Sequence, residues 1–205
     1  MEVDSAELSW QTAYKLLTGA VVPRPIGWIS TVDADGNANL APFSFFNVVC
    51  ANPPTVLFST MRRGAYAGRK DTLNNARATG EFVVNIVSGA LVEAMNFSSA
   101  DVPPDVDEFT LAGVSKAASV RVVPPRVAES PIHFECKVLH IYDVSDAPGG
   151  GSVVIGEVLH LHVDESVLLG ADKIDPDALQ AVGRMAGNEY TRTRERFTLA
   201  RPVTD

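Results

Sequence analysis

The chain has 205 residues, of which 46% are hydrophobic, 20% charged and 7% aromatic. That length supports a single domain whose core needs no metal or disulfide staple, and the apolar fraction is too high for a disordered chain. Seventeen Lys and Arg against 25 Asp and Glu leave a net charge of −8, which argues against general nucleic-acid or anionic-membrane binding.

Ser9 to Leu17 reads as a short helix, capped by Ser9, with Trp10, Tyr14 and Leu17 at helical spacing. Pro23-Arg24-Pro25 then forces extended chain. Ile26 to Val32 is a strand, Asp33-Ala34-Asp35-Gly36 a hairpin turn, and Asn37 to Phe46 a returning strand broken by Pro42. Thr55 to Thr60 is a β-branched and apolar strand. Asp71 or Thr72 is placed to cap a helix running to Ala78, and Glu81 to Val87 is the next strand. Ser88 is placed to cap a short helix carrying Leu91, Val92 and Met95. Residues 102–118 read as a long connection, followed by a short strand at Val120 to Val123. Ile132 to Val144 and Ser152 to Val163 form the clearest hairpin, across a Pro/Gly-rich turn. A last helix, Pro176 to Val182, begins after an Asp175 cap. Some six short strands with brief helices between them predict a closed or nearly closed antiparallel barrel. The regular long helices of a doubly wound sheet are missing.

No apolar run approaches the ~20 residues of a membrane helix. The N-terminus, Met1-Glu2-Val3-Asp4-Ser5, is unlike a secretory leader. Cys50 and Cys136 are too few for a disulfide framework and read as core thiols. A cytoplasmic location with both thiols reduced is expected. G-x-G-x-x-G, G-x-S-x-G, H-E-x-x-H and paired C-x-x-C motifs are absent from the sequence. His160, His162 and Asp164 alternate along a strand, which fits a metal-ligand trio but fits a pleated surface better. With no protein nucleophile or metal centre in view, a bound cofactor is the expected carrier of any chemistry.

Two segments stand out. Arg62, Arg63, Arg69 and Lys70 fall within ten residues that hold no acid and lead into a helix start. With Ser59, Thr60 and Thr72 they suit a phosphate, although a solvated basic loop has the same composition. Asn39-Leu40-Ala41-Pro42-Phe43-Ser44-Phe45-Phe46-Asn47 combines aromatics, small residues and a ladder-breaking Pro. It suits a planar heteroaromatic ligand, and it also suits ordinary core packing.

Taken in order, Pro23-Arg24-Pro25-Ile26-Gly27-Trp28-Ile29-Ser30-Thr31, Asp35-Gly36-Asn37, Asn39 to Asn47, Pro53-Pro54, Lys70-Asp71-Thr72 and Gly80-Glu81-Phe82-Val83-Val84-Asn85 resemble the flavin reductase-like family of FMN-binding split barrels related to flavoredoxin. Gly187-Asn188-Glu189-Tyr190-Thr191-Arg192 adds a C-terminal match. The resemblance implies a mainly β, six-stranded antiparallel Greek-key split barrel with short peripheral helices. Its core would span about 20–165, with an extension over about 166–205, all one FMN-binding domain. It further implies a homodimer with FMN near the interface. Ser30 and Thr31 would lie by the flavin, and Ala41, Pro42, Ser44, Phe45 and Asn47 would line the ring and ribityl chain. Asn39 belongs to the same cofactor-binding set. Ser59, Thr60, Arg62, Lys70 and Thr72 would hold the phosphate. Asp71 would cap the helix or pair with a cation, and no acid–base residue is implied. The activity implied is an NAD(P)H-dependent flavin oxidoreductase, possible partners being an oxygenase or redox protein. A flavoredoxin-like electron carrier with little NAD(P)H turnover is the alternative, and a non-catalytic or oligonucleotide-binding barrel is a third reading that the −8 charge disfavours.

Overall fold

The structure, a computed structural model, describes residues 2–62, 68–103 and 106–203. Arg63, Gly64, Ala65, Tyr66 and Ala67 of the basic segment lie outside the described residues. Helix α1 (Trp10–Ala20) begins where the Ser9 hydroxyl accepts from the Thr12 amide. Strands β1 (Gly27–Val32), β2 (Ala38–Phe43), β3 (Phe46–Ala51) and β4 (Pro54–Met61) follow, then α2 (Asp71–Thr79) and β5 (Glu81–Ile86). Helices α3 (Val92–Phe97) and α4 (Glu108–Ala112) precede the two-residue strands β6 (Lys116–Ala117) and β7 (Arg126–Val127). The long hairpin is β8 (Ile132–Asp143) and β9 (Gly151–Val163), after which come α5 (Pro176–Leu179), β10 (Val182–Arg184) and β11 (Tyr190–Arg192).

Seven strands form one antiparallel sheet in the order β2-β1-β5-β8-β9-β4-β3. The two outermost strands, β2 and β3, are consecutive in the chain and are joined only by Ser44 and Phe45. Three Cα steps reach at most about 11 Å, so the sheet must curl until its edges nearly meet. Register shifts in the β8–β9 pair at Glu135/Cys136 and Val138/His140 add the bend that such curling needs. The result is a barrel split between β2 and β3. The six strands expected become seven because the segment expected as one strand to Phe46 breaks at Ser44–Phe45, and Phe46 starts a separate strand.

Both faces of β1 are buried. Ile29 points into the barrel, where it joins Phe43, Phe46, Phe58, Phe82, Val84 and Val154. Trp28 points outward into a second cluster with Leu40, Met95, Phe109 and Val127, beneath α3 and α4, and its indole N–H donates to Ser98 Oγ at 2.8 Å. Leu73 of α2 belongs to the interior cluster, so α2 packs on the barrel through that side chain. Gly156 of β9 makes room inside: a Cβ there would lie 2.5 Å from the Phe82 ring.

Several local expectations change. Val120 to Val123 is not a strand, because side chains take its amides. Glu135 accepts from the Val120 and Arg121 N–H groups and Glu81 from that of Val123; the pairing falls instead to β6 and β7. The 102–118 connection holds α4. Lys70 rather than Asp71 or Thr72 is the N-cap of α2, Leu91 rather than Ser88 that of α3, and α5 stops at Leu179 because Val182 enters β10. Cys136 is buried, but Cys50 is exposed on β3 and is no core thiol. His160, His162 and Asp164 do not form a metal trio: His162 bonds Glu135 at 2.5 Å and Asp164 caps a 3-10 turn. Among the described residues no cluster of three metal-ligating side chains occurs, and no helix is long and apolar enough to cross a membrane.

Two measurements follow from this packing. Gly156→Ala pushes a methyl into the Phe82 ring and lowers unfolding stability in urea by about 1–3 kcal/mol. Burial drives the His133 imidazole down to about 4, against an opposing bond to the Val127 carbonyl. Burial alone would raise Glu135, but its bonds from His162, Val120 and Arg121 outweigh that and lower it. Both groups bind protons more readily unfolded, so the stability they confer is complete above about pH 6.5 and is lost as pH falls toward about 4. Thermal unfolding should show this slope between about pH 6.5 and about pH 4, and His133→Gln should flatten it.

Candidate functional site

The barrel's split is lined by the β2–β3 corner, and Phe45 stands in it as a wall between two adjoining cavities. One, of about 410 Å³, is bounded by Arg24, Ser44, Phe45, Asn47 and Ser59 and by the apolar side chains of Leu17, Val21 and Leu57. The other, of about 290 Å³, lies between α1 and the β8–β9 turn, with Trp10, Tyr14, Phe45, Ser59, Thr60 and Gly150 in its walls. Trp10, Tyr14 and Leu17 recur on one face of α1 because helical spacing repeats them there. That face closes over the cavities rather than over the core. The corner itself is fixed by the Ser59 N–H donating to the Phe45 carbonyl at 2.8 Å.

β4 leads from this corner to the basic segment. Thr60, Met61, Arg62, Arg69 and Lys70 border a narrow crevice. Lys70 caps α2 without a side-chain hydrogen bond of its own, and the N-terminal end of a helix favours an anion. The cations are matched by acids across the crevice: Arg62 pairs with Asp146, Arg69 lies 3.9 Å from Asp146, and Lys70 lies 3.7 Å from Asp101. Arg77 and Ser152 both bond Asp143 at 2.5 Å, and these bonds hold its carboxyl below the usual carboxylate range.

Beside the helix start, Asn39, Ala41, Pro42, Lys70, Asp71 and Thr72 line a small cavity of about 60 Å³. Behind it runs a buried polar chain. Thr72 donates its hydroxyl proton to Asn39 Oδ1 at 2.8 Å, Asn39 donates to Glu108 at 2.7 Å, and Asn75 donates to Thr31 at 3.1 Å. Burial raises the Glu108 carboxyl above its ordinary value, although Leu40 and Asn39 both donate to it.

The residues singled out from the sequence therefore fall into neighbouring groups. Ser44, Phe45, Asn47 and Ser59 share one cavity, Thr60 and Arg62 continue along β4, and Asn39, Ala41, Pro42, Lys70 and Thr72 meet at the start of α2. Thr31 supports Asn39 from beneath, its hydroxyl 3.5 Å from Asn39 Oδ1. Ser30 lies apart. Strand alternation turns it to the outer face, where it is fully buried and donates to the Pro125 carbonyl at 2.5 Å.

Two participants escaped the sequence reading. Arg24 is buried at the edge of the larger cavity, its guanidinium 5.9 Å from the Phe45 ring centroid. Its only sequence signal was a cation fixed between two prolines. Glu108 gave less, lying in a segment that read as a connection.

The family profile described as "Flavin reductase like domain" matches residues 18–173. Over 205 aligned residues the chain is 40% identical to the protein BH2278 of Halalkalibacterium halodurans, covering 99% of this chain and 97% of that one. It is similar to the crystal structure of nitrilotriacetate monooxygenase component B from Bacillus cereus, with 35% identity, a TM-score of 0.91 and coverage of 97% and 98%. It is also similar to the 2-nitrobenzoate 2-nitroreductase NbaA of Pseudomonas fluorescens, with 30% identity, a TM-score of 0.86 and coverage of 98% and 96%. With its split antiparallel barrel and this match over most of its length, the chain belongs to the flavin reductase-like family.

Proposed function

We propose that this protein is an NAD(P)H-dependent flavin oxidoreductase that binds FMN across the split of its barrel. The observation that carries the reading is the continuity of the site. A cavity with an aromatic wall and polar edges opens at Ser44, Phe45 and Asn47, and β4 runs from it to a crevice bordered by Arg62, Arg69 and Lys70 at the start of α2. From Ser59 to Arg62 a strand advances roughly 10 Å, a span that a ribityl chain and its phosphate can cover. The residues fit the group: ring against Phe45, phosphate toward Arg62, Lys70 and the first amides of α2.

Bound flavin would supply hydride acceptance at N5, with nicotinamide as donor. The protein's share is to hold the ring, to keep water from one face through α1 and Phe45, and to present Ser44, Asn47 and Ser59 as polar partners. The name of the monooxygenase component among its structural relatives supports an oxygenase as the partner that receives reduced flavin. Exposed Val48 and Val49 on β3 and Leu16, Leu17 and Val21 around α1 support a homodimer formed beside the site.

The deciding measurement is the visible spectrum of the purified protein mixed with FMN, before and after anaerobic NADH or NADPH. Flavin bands that bleach with a nicotinamide support the reading. Lack of any flavin binding overturns it, and binding without bleaching moves it to an electron carrier. Lys70→Ala should weaken FMN binding by about 10- to 100-fold, the range for losing a charge-assisted bond, whereas Arg201→Ala should leave it near wild type. Equal effects in a fluorescence titration would remove the phosphate from the α2 start.

A further inference from the structure

Arg24 is the one residue at the cavity whose charge the proposed chemistry leaves unused. It is 5% exposed. Nη1 donates to the carbonyls of Thr18 at 2.6 Å and Val21 at 2.7 Å, and Nη2 to that of Met185 at 2.9 Å. A guanidinium has five N–H groups, and these carbonyls take three. Nε–H points at Ser44 Oγ across a long 3.4 Å, and the second Nη2–H has no partner among the described residues. Among the described residues no carboxylate pairs with the cation either; beyond burial itself, the ionisable groups acting on it are Tyr14, which favours its charge, and Arg184, which opposes it. The last carbonyls of α1 offer partial negative charge, but a buried cation without a full counter-ion leaves uncompensated positive potential.

Ser44 carries that potential into the cavity. Its oxygen accepts from Arg24, so its own proton must point elsewhere, and it reaches no acceptor among the described residues. The pair thus presents a polarised O–H, backed by a buried cation, beside the Phe45 ring.

We propose that Arg24, acting as a positioning residue through Ser44, makes this cavity select an anionic planar ring over the same ring when neutral, namely two-electron-reduced FMN over oxidised FMN. The proposal rests on the flavin reading above. Reduced flavin carries its negative charge along the N1–C2 carbonyl edge, where donors and positive charge tune its electronics, and a preset donor costs no reorganisation. The cavity is built with a charge whose counter-ion the ligand brings.

The test compares wild type with Arg24→Gln, Arg24→Lys and Ser44→Ala. Two quantities are read: the Kd for oxidised FMN by fluorescence titration, and the midpoint potential of bound FMN by spectroelectrochemistry. Arg24→Gln should lose about tenfold of the preference for reduced over oxidised flavin, which for a two-electron couple lowers the potential by about 30 mV. Its oxidised-state Kd should change by less than about threefold. Arg24→Lys should restore most of the potential, and Ser44→Ala should lose part of it. An unchanged potential in a folded Arg24→Gln protein, or equal losses for both flavin states, overturns the proposal and leaves Arg24 as an anchor for α1. Should Arg24→Gln fail to fold, Ser44→Ala decides, since it keeps all three carbonyl bonds. If wild type binds no oxidised FMN, the proposed function itself has failed. Tight oxidised-state binding with an unshifted potential in the variants defeats only the role of Arg24.

Discussion

Ser44 and Phe45 impose the constraint on which the rest of the architecture depends. They are the whole connection between strands at opposite edges of a seven-stranded sheet. A link that short cannot bridge an open sheet, so the sheet curls. Because the two edges approach without forming a ladder, the corner keeps backbone and side-chain groups that a fully paired barrel would consume. The curl also fixes what surrounds the corner. α1 closes over it, β4 runs beneath it, and α2 brings its N-terminus to the same side.

Charge is distributed on the same plan. The chain is acidic overall, yet its cations at Arg62, Arg69 and Lys70 gather beside one crevice. Among the described cations Arg24 alone is buried, and it faces neutral carbonyls. The outer face of the barrel carries a different polar system, in which Glu135 fastens the 120–121 backbone and His162. That system bears on acid stability, while the corner holds the proposed ligand site. Their separation across the sheet lets each be altered with little direct contact to the other.

Much of this was legible in the chain, for identifiable reasons. The β8–β9 hairpin was clear because long apolar runs flank a Pro/Gly-rich turn. The corner was legible as a segment: Ala41, Pro42, Ser44, Phe45 and Asn47 do surround concavities, though Phe46 opens a strand rather than ending one. The side chains of adjacent Ser30 and Thr31 point to opposite faces of β1, and two-sided burial of that strand hid which of them lies on the side of Asn39. Val120 to Val123 looked like a strand because β-branched composition does not reveal that distant carboxylates take the amides. Cys50 looked like a core thiol because burial is usual for cysteine, but it lies on an edge strand. Arg24 was invisible as a site residue because a cation between prolines carries no sign of its depth.

The pairing of Arg62 with Asp146 and of Lys70 with Asp101 has a consequence for how any anion would arrive. The crevice is not a bare electropositive hole. A phosphate entering it would exchange with exposed carboxylates that already hold the cations, and the displaced acids would return to water. Association of this kind would be ion exchange rather than ion capture: an anion would compete with Asp146 and Asp101 for Arg62, Arg69 and Lys70, and a ligand that also filled the Phe45 cavity would compete better than one that did not. Selectivity against free phosphate would then arise from competition inside the protein itself.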